Sequence, residues 1–249
     1  MNYPVPAYLT FYVLGGSVAA IAGVLIAVRR GLKLSGWAGR ERGTGSIAAL
    51  LAAWFAASLI PGWLEFYHSQ RIPTIQYGLL LPMAAVLAWF WSGTFLRRVV
   101  MAVPQSWMAG VQVYRVLGLI FLVLYAQGRM PGEFAWSAGV GDIAVGLLAI
   151  PAGMAYVRRP QAGAGWLRAW NLLGMTDLIV AVTLGLLTSP SPLQRLAFDR
   201  PNEWISEFPL VMIPVFLVPL SFLLHLASLW KLRQTETVEG REAMRAAGA

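Results

Sequence analysis

Three ionisable side chains stand within long apolar stretches of this sequence: Arg115, Asp142 and Asp177. Inside a bilayer, an ionised side chain costs roughly 3 kcal/mol on insertion scales, so it usually pairs with an opposite charge, faces a cavity or has a function. An arginine and two carboxylates in such surroundings are a candidate site for an ion, a proton or an anionic ligand. They also suit a structural role, in which Arg115 neutralises one or both aspartates and holds three helices together.

Four further polar residues belong to this candidate site. Gln112 lies one turn before Arg115 and on the same face of a helix. Ser221 and His225 are four residues apart and share a face of the last apolar stretch. Asn171 lies on a different face from Asp177, nearer to the cytoplasm. The predicted ligand or proton site therefore comprises Gln112, Arg115, Asp142, Asn171, Asp177, Ser221 and His225.

The depth of the three charges in the membrane predicts how they pair. A helix rises about 1.5 Å per residue, and counting from the predicted helix ends puts Arg115 and Asp177 near mid-membrane. The same count places Asp142 closer to the outer surface of the membrane. We therefore expect an ion pair between Arg115 and Asp177, with Asp142 as the residue left to explain.

The elements that must position these residues are transmembrane helices. A bilayer core about 30 Å thick is crossed by roughly 20 mainly apolar residues in a helix, and the sequence contains seven such runs. They predict an all-α fold, one integral membrane bundle of about seven helices over residues 1–232, followed by a polar cytoplasmic tail over 233–249. The runs lie near residues 7–28, 45–63, 75–96, 107–126, 135–157, 168–188 and 208–230, and the last four carry the candidate site.

The composition supports a membrane setting. Of the 249 residues, 58 % are hydrophobic and 12 % are charged, whereas roughly 25 % are charged in soluble proteins. The lipid bilayer is therefore the first predicted partner. The net charge is +8, and the basic residues lie in short clusters between apolar runs, as they do in the loops that orient a membrane protein. Nucleic acid is therefore not a predicted partner. The polar stretches between the apolar runs are too short to form a soluble domain, which suits a subunit of a larger assembly. Other membrane subunits are therefore the second predicted partner.

The basic residues predict the orientation. Fourteen Lys and Arg residues fall on the side of the first loop and the C-terminus and four on the other side, which by the positive-inside rule puts the N-terminus outside and the C-terminus in the cytoplasm. The tryptophans fit an aromatic belt at both membrane surfaces. Those at predicted outer ends are Trp63, Trp136 and Trp204, and those at inner ends are Trp91, Trp107, Trp166 and Trp230.

Small residues surround the two carboxylates. Gly139, Asp142, Gly146, Ala149 and Gly153 share one face of the fifth run. A stripe of small residues lets a second helix approach closely, and the sixth run repeats the pattern around Asp177. We expect tight helix packing around both aspartates.

Several membrane chemistries do not fit the residues. Cysteine is absent, which removes disulfides and thiolate ligands. Rhodopsin chemistry needs a lysine inside the last helix, but Lys33 falls in a loop and Lys231 at a helix end. Seven-helix zinc hydrolases use three histidines, whereas this chain has only His68 and His225, on opposite sides of the membrane. No metal site is predicted, and the cofactor, including a haem on His225, is left open.

An intramembrane aspartyl protease is the third functional hypothesis. The string Gly139-Val140-Gly141-Asp142 matches the Gly-x-Gly-Asp element of those enzymes, and two carboxylates that share a proton could activate a water. In those enzymes, however, the second aspartate precedes this element, whereas Asp177 follows it. We favour a non-enzymatic role, namely binding or translocation of a small ligand or proton. The alternative is an accessory or structural subunit of a larger membrane complex.

Six stretches of the second half have a familiar pattern, namely Gln112–Gly118, Gly128–Pro131, Gly139–Asp142, Trp170–Asp177, Ser189–Gln194 and Pro214–His225. Together they resemble a group of uncharacterised bacterial seven-span membrane proteins. The resemblance covers roughly residues 105–232 and implies a multi-pass protein of the bacterial cytoplasmic membrane. It implies no activity.

Overall fold

The computed structural model describes residues 5–68 and 74–247, with side chains described up to residue 237. Within these ranges every regular element is a helix and no strand occurs. The α-helices are α1 (Ala7–Leu34), α2 (Arg40–Trp63), α3 (Ile75–Ser92), α4 (Phe95–Ala102), α5 (Gln105–Val111), α6 (Leu119–Ala126), α7 (Gly132–Arg158), α8 (Pro160–Thr188) and α9 (Val218–Ala247). Short 3-10 helices cover Phe66–His68, Gln112–Gly118 and Trp204–Ser206, and a π-helix covers Ile213–Leu217.

Seven helices are long and apolar enough to cross a membrane, as the sequence predicted, and they indicate a multi-pass membrane protein. Two of these spans are composite. The fourth joins α5, a 3-10 helix and α6, and the seventh joins the π-helix to α9. The candidate spans are Ala7–Leu34, Arg40–Trp63, Ile75–Ser92, Gln105–Ala126, Gly132–Arg158, Pro160–Thr188 and Ile213–Thr237. We call the end of the bundle that carries residues 189–207 the outer end and the opposite end the inner end, following the predicted orientation.

Several helices extend further at the inner end than their apolar runs predicted. Residues 35–39 alone connect α1 to α2, and Arg159 alone connects α7 to α8. Long basic side chains can reach water from a helix end, so a helix need not stop where its apolar residues stop. Pro160 is the first residue of α8, a position at which proline suits a helix. Helix α9 likewise continues through residues predicted as a polar tail, and the division between domain and tail stays a prediction.

The last four spans form the centre of the bundle. Helix α7 packs along α8 and against the fourth span, and α8 packs against α9. Helices α1 and α2 form a second pair, and α3 packs against the seventh span. Phe216 is fully buried and meets Trp54 and Phe55 of α2 edge to face. The spans that carry the candidate site thus lie side by side, with the first three spans on their flank.

The seventh span begins with a departure from α-helical geometry, the π-helix Ile213–Leu217, in its outer part. Pro219 has no N–H to donate to the carbonyl four residues earlier, which is that of Val215. The buried Ser58 hydroxyl donates to this carbonyl instead, at 3.3 Å. A further hydroxyl, that of Tyr114, lies 3.1 Å from the Leu217 carbonyl. In lipid, freed backbone groups need such partners, so the neighbouring helices stabilise the π-helical segment.

The fourth span is also irregular, beside the π-helical segment of the seventh span. Its 3-10 helix, Gln112–Gly118, lies between two α-helical halves, and the Tyr12 hydroxyl of α1 donates to the Leu117 carbonyl at 2.8 Å. Stretches of 3-10 helix within a longer helix often mark functional sites or strain. The 3-10 helix contains two residues of the candidate site, Gln112 and Arg115, and the π-helix lies beside the site.

Gly31 permits the closest contact between α1 and the chain that follows α4. A Cβ added at Gly31 would lie 2.6 Å from Val103 Cα and 2.7 Å from the Ala102 carbonyl oxygen. Backbone atoms cannot move aside as a side-chain end can. We therefore expect Gly31→Ala to lower the free energy of unfolding by about 1–3 kcal/mol, as overpacking does. Thermal unfolding in detergent, followed by circular dichroism, measures the change.

Gly15→Ala is the matched control, because it lies on the same helix and a Cβ there meets nothing within 4 Å. It should leave the midpoint of unfolding unchanged or raise it slightly. Equal stability of the Gly31 and Gly15 variants would show that this contact between α1 and the end of α4 is wrong.

Candidate functional site

Arg115 lies at the centre of the bundle and binds both aspartates. Its side chain is 2 % exposed. Its Nε donates to Asp142 Oδ1 at 2.7 Å, and its Nη2 donates to Asp177 Oδ2. The expected Arg115–Asp177 pair is therefore present, but the prediction that left Asp142 without a partner is wrong. One guanidinium joins α7 to α8.

The depth estimate placed Asp142 too near the outside because α7 begins at Gly132, three residues before the predicted run. Asp142 therefore lies ten residues from the outer end of α7, and Asp177 lies eleven residues from the outer end of α8 at Thr188. Arg115 stands in a 3-10 helix, which rises about 2.0 Å per residue instead of about 1.5 Å. The arginine side chain is also long, and its planar head offers N–H groups in several directions. Counting residues along the chain located the backbone of Arg115 and could not locate its guanidinium.

His225 occupies the other side of the guanidinium. Arg115 Nη1 lies 3.2 Å from His225 Nε2 and 3.2 Å from the Gly174 carbonyl oxygen. Because a guanidinium only donates hydrogen bonds, Nε2 must be the acceptor. Nδ1 then carries the proton and donates to Asn171 Oδ1 at 2.9 Å. This assigns a neutral histidine, whose ring also packs against Trp170 with 4.9 Å between ring centroids.

Asn171 joins the network although it lies on a different face of α8 from Asp177. It accepts from His225, and its Nδ2 donates to the Leu167 carbonyl at 2.8 Å and to Ser228 Oγ at 3.0 Å. Asn171 was among the predicted site residues, but its different face on α8 did not reveal how it reaches the charges, because the link passes through His225 on a different helix.

Two glutamine–serine pairs bind the fourth span to the seventh. Gln112 Nε2 donates to the Ser221 carbonyl at 3.0 Å and Gln112 Oε1 accepts from the Ser221 hydroxyl at 2.8 Å. Gln105 makes the same two contacts with Ser228, at 3.0 and 2.8 Å. The structure thus brings the seven predicted residues into two neighbouring networks, one around Arg115 and one around Gln112 and Ser221.

Gln105 was missed by the sequence analysis, and a signal for it exists. Gln105 and Gln112 are seven residues apart, and so are Ser221 and Ser228. Two antiparallel helices that meet at heptad spacing bring the first glutamine to the second serine and the second glutamine to the first serine. Reading the polar residues of both spans together would have predicted the two pairs.

The small-residue face of α7 packs tightly, as expected: a Cβ added at Gly146 would lie 2.8 Å from the backbone nitrogen of Val116 in the fourth span.

Glycines also make room for the charged groups themselves. A Cβ at Gly118 would lie 2.7 Å from Asp142 Oδ2, and one at Gly141 would overlap the Asp177 carboxylate. A Cβ at Gly174 would overlap the His225 ring and lie 3.2 Å from Arg115 Nη1. The charges therefore pack directly against backbone atoms of neighbouring helices.

Two cavities meet at Asp142. One, of about 80 Å³, is lined at the outer end by Thr74 and Ser191 and reaches down to Asp142. The other, of about 40 Å³, adjoins Tyr114 and Arg115. A cavity holds a water once it offers roughly 10–15 Å³, so both have room for water, and both are far below the roughly 300–1,000 Å³ of a typical ligand pocket. Asp177 lines neither cavity.

The charges of the cluster do not cancel. Arg115 is always protonated, the two aspartates carry two negative charges when ionised, and His225 is neutral. The described cluster therefore has a formal charge of −1, which one proton or one monovalent cation would neutralise.

The comparisons with known proteins give a family and no activity. A family model described as a domain of unknown function, DUF8737, matches residues 72–233. No curated protein and no solved structure matches the chain. The matched residues include every residue of the charged cluster.

The packing of Asp177 against Gly141 provides a test of the cluster. In Gly141→Ala the new methyl group occupies the position of the Asp177 carboxylate, which must leave Arg115. Breaking a buried ion pair costs about 3–5 kcal/mol. We expect Gly141→Ala to unfold at a markedly lower temperature in detergent than the unmodified chain.

Gly165→Ala on α8 is the control, since a Cβ at Gly165 meets nothing within 4 Å. If the Gly141 variant is as stable as the Gly165 variant, Asp177 does not pack against α7 as described.

Proposed function

We propose that this chain, which belongs to the DUF8737 family, is a multi-pass membrane protein that reversibly binds a proton at the cluster of Arg115, Asp142 and Asp177. The observation that carries this proposal is one buried guanidinium shared by two carboxylates, one of which borders two water-sized cavities. The cluster contains one negative charge more than Arg115 balances. Proton relays inside membranes are commonly built from such carboxylates.

Asp142 is the carboxylate that suits proton exchange. It lines both cavities, and its side chain is 17 % exposed against 10 % for Asp177. Asp177 pairs with Arg115 away from the cavities and serves as its permanent counter-ion. In this arrangement Arg115 and Asp177 form an ion pair without net charge, and Asp142, which lies beside this pair, gains and loses the proton.

Anionic and organic ligands fit the geometry less well than a proton does. Four N–H contacts of Arg115 already go to Asp142, Asp177, Gly174 and His225, so little of the guanidinium is left for an anion. A hard metal cation takes six or more oxygen ligands. The residues that line both cavities beside Asp142 are apolar, namely Phe121, Leu178, Ile213 and Val218. A proton requires only one free carboxylate oxygen.

The protease hypothesis loses support from the same contacts. A pair of catalytic aspartates shares a proton across a water, whereas Asp142 and Asp177 both accept N–H groups of Arg115. A role as an accessory subunit stays a prediction. Co-purification of partner chains in fixed ratio after mild solubilisation would favour it.

The excess negative charge of the cluster gives the first test of proton binding. Acidification of the detergent-solubilised chain should produce the infrared C=O stretch of one buried protonated carboxyl. Asp142→Asn and Asp177→Asn each remove the excess negative charge, so we expect each variant to remain folded and to lose the band.

Asp199→Asn is the matched control, because Asp199 is exposed at the outer end of the bundle and contributes nothing to the cluster. It should keep the band unchanged. Persistence of the band in both cluster variants, or its absence from the unmodified folded chain, would disprove proton binding here.

We further propose that the chain lies in a bacterial cytoplasmic membrane with its C-terminus in the cytoplasm. The distribution of Lys and Arg supports the orientation, although Arg71 of the outer set lies outside the described residues. The chain contains no cysteine, so single cysteines report one position at a time. In intact cells, a membrane-impermeant maleimide should label Asp199→Cys within minutes and should label Gln161→Cys only after the membrane is opened. The reverse pattern would invert the orientation.

A further inference from the structure

The larger cavity at Asp142 connects the cluster with one end of the bundle. Near the outer end it is lined by polar residues, and deeper in the bundle it is lined by apolar residues of α7, α8 and the seventh span, with Asp142 at the bottom. The polar residues are Tyr67, Thr74, Gln76, Ser189, Ser191 and Ser206. We call this cavity the outer vestibule.

Two polar atoms in the outer vestibule lack a partner in the described part of the chain. They are Thr74 Oγ1 and Gln76 Oε1, both buried. The Thr74 residue as a whole is 8 % exposed. A buried hydroxyl or amide without a hydrogen bond costs about 1–3 kcal/mol, so such atoms are normally satisfied by ordered water. The cavity volume of about 80 Å³ accommodates several waters.

The inner side of the cluster is closed by direct hydrogen bonds. His225, Asn171, Ser228 and Gln105 form a continuous chain from Arg115 towards the inner end, and none of them is more than 4 % exposed. Two links of this chain are amides, which donate and accept hydrogen bonds but do not pass a proton on as water or a carboxyl group does. A proton on Asp142 therefore has no comparable route inwards.

From these observations we infer that the outer vestibule is filled with water and is the path by which Asp142 exchanges protons with the outer side alone. This inference rests on the proposed proton site. It adds a direction to that site, since the cavity extends from Asp142 to polar residues at the outer end, whereas direct hydrogen bonds close the inner side. Transfer across the membrane then requires a second conformation in which the inner hydrogen-bonded chain opens.

The absence of native cysteine allows a direct test with single cysteines. A thiol reacts with a methanethiosulfonate reagent as its thiolate, which forms where water reaches it. Ala181 lines the vestibule, and Thr183 lies two residues further along α8 on an exposed face, at nearly the same depth. In intact cells, a charged, membrane-impermeant reagent should modify Ala181→Cys at least about tenfold faster than Thr183→Cys.

Thr74→Cys is a second, nearly isosteric reporter of the vestibule, and Ala27→Cys on α1 reports the apolar cavity in the inner half of the bundle. We expect fast labelling at 74 and none at 27. If neither vestibule position reacts from outside in folded protein, or if both react only from the inner side of inverted vesicles, the inference is overturned. Fast labelling at all four positions overturns it too, because the reagent then does not report the vestibule.

The infrared band of the solubilised protein separates the two proposals. In detergent both ends of the bundle meet water, so the band tests proton binding irrespective of the route. A band that depends on Asp142, together with unreactive vestibule cysteines, would reject the vestibule and retain the proton site. Reactive cysteines without the band would reject the proton site.

Discussion

A guanidinium in the middle of an apolar bundle has to be matched by negative charge and by acceptors for its N–H groups, and the centre of this protein is arranged around that requirement. Asp142 brings α7 to Arg115, Asp177 and the Gly174 carbonyl bring α8, and His225 brings α9. The two carboxylates carry two negative charges and Arg115 only one positive charge. The contacts that hold three helices together therefore leave one negative charge unbalanced. Structure and proposed function therefore depend on the same side chains.

The irregular backbone of the fourth and seventh spans lies beside the same cluster. The 3-10 helix at Gln112–Gly118 and the π-helix at Ile213–Leu217 free carbonyls, and hydroxyls from other helices satisfy several of them. The two glutamine–serine pairs fix the register between these spans. Polar interactions of this kind are specific as to position even where each contributes only about 0.6 kcal/mol in a membrane. Together they hold Arg115 between the outer vestibule and the closed inner chain.

Much of this arrangement follows from the sequence and part of it does not. Seven apolar runs predict seven spans, because span length and composition are local properties set by the thickness of the bilayer. The rarity of charge within those runs singles out Arg115, Asp142 and Asp177 as buried groups. The pair of Arg115 with Asp177 was predicted, but the second contact of Arg115, with Asp142, was not, since it depends on where α7 begins and on the direction of a long side chain. Asn171 was a predicted site residue, but the way it reaches the charges could not be predicted, because the contact passes through His225 on a separate helix.

The central claim is that Arg115 binds both aspartates at once, and distance measurement by solid-state NMR in lipid tests it most directly. The aspartates of the chain are Asp142, Asp177 and Asp199, so labelling aspartate with ¹³C at Cγ gives few signals to assign. With ¹⁵N-labelled arginine side chains, we expect the carboxyl carbons of Asp142 and Asp177 to be strongly dephased by nitrogen, since an oxygen of each contacts a guanidinium nitrogen of Arg115. The carboxyl carbon of Asp199, which has no described ion pair with arginine, should be dephased far less. Dephasing of only one of the two buried carboxyls, or of neither, would contradict the shared arginine and the excess charge inferred from it.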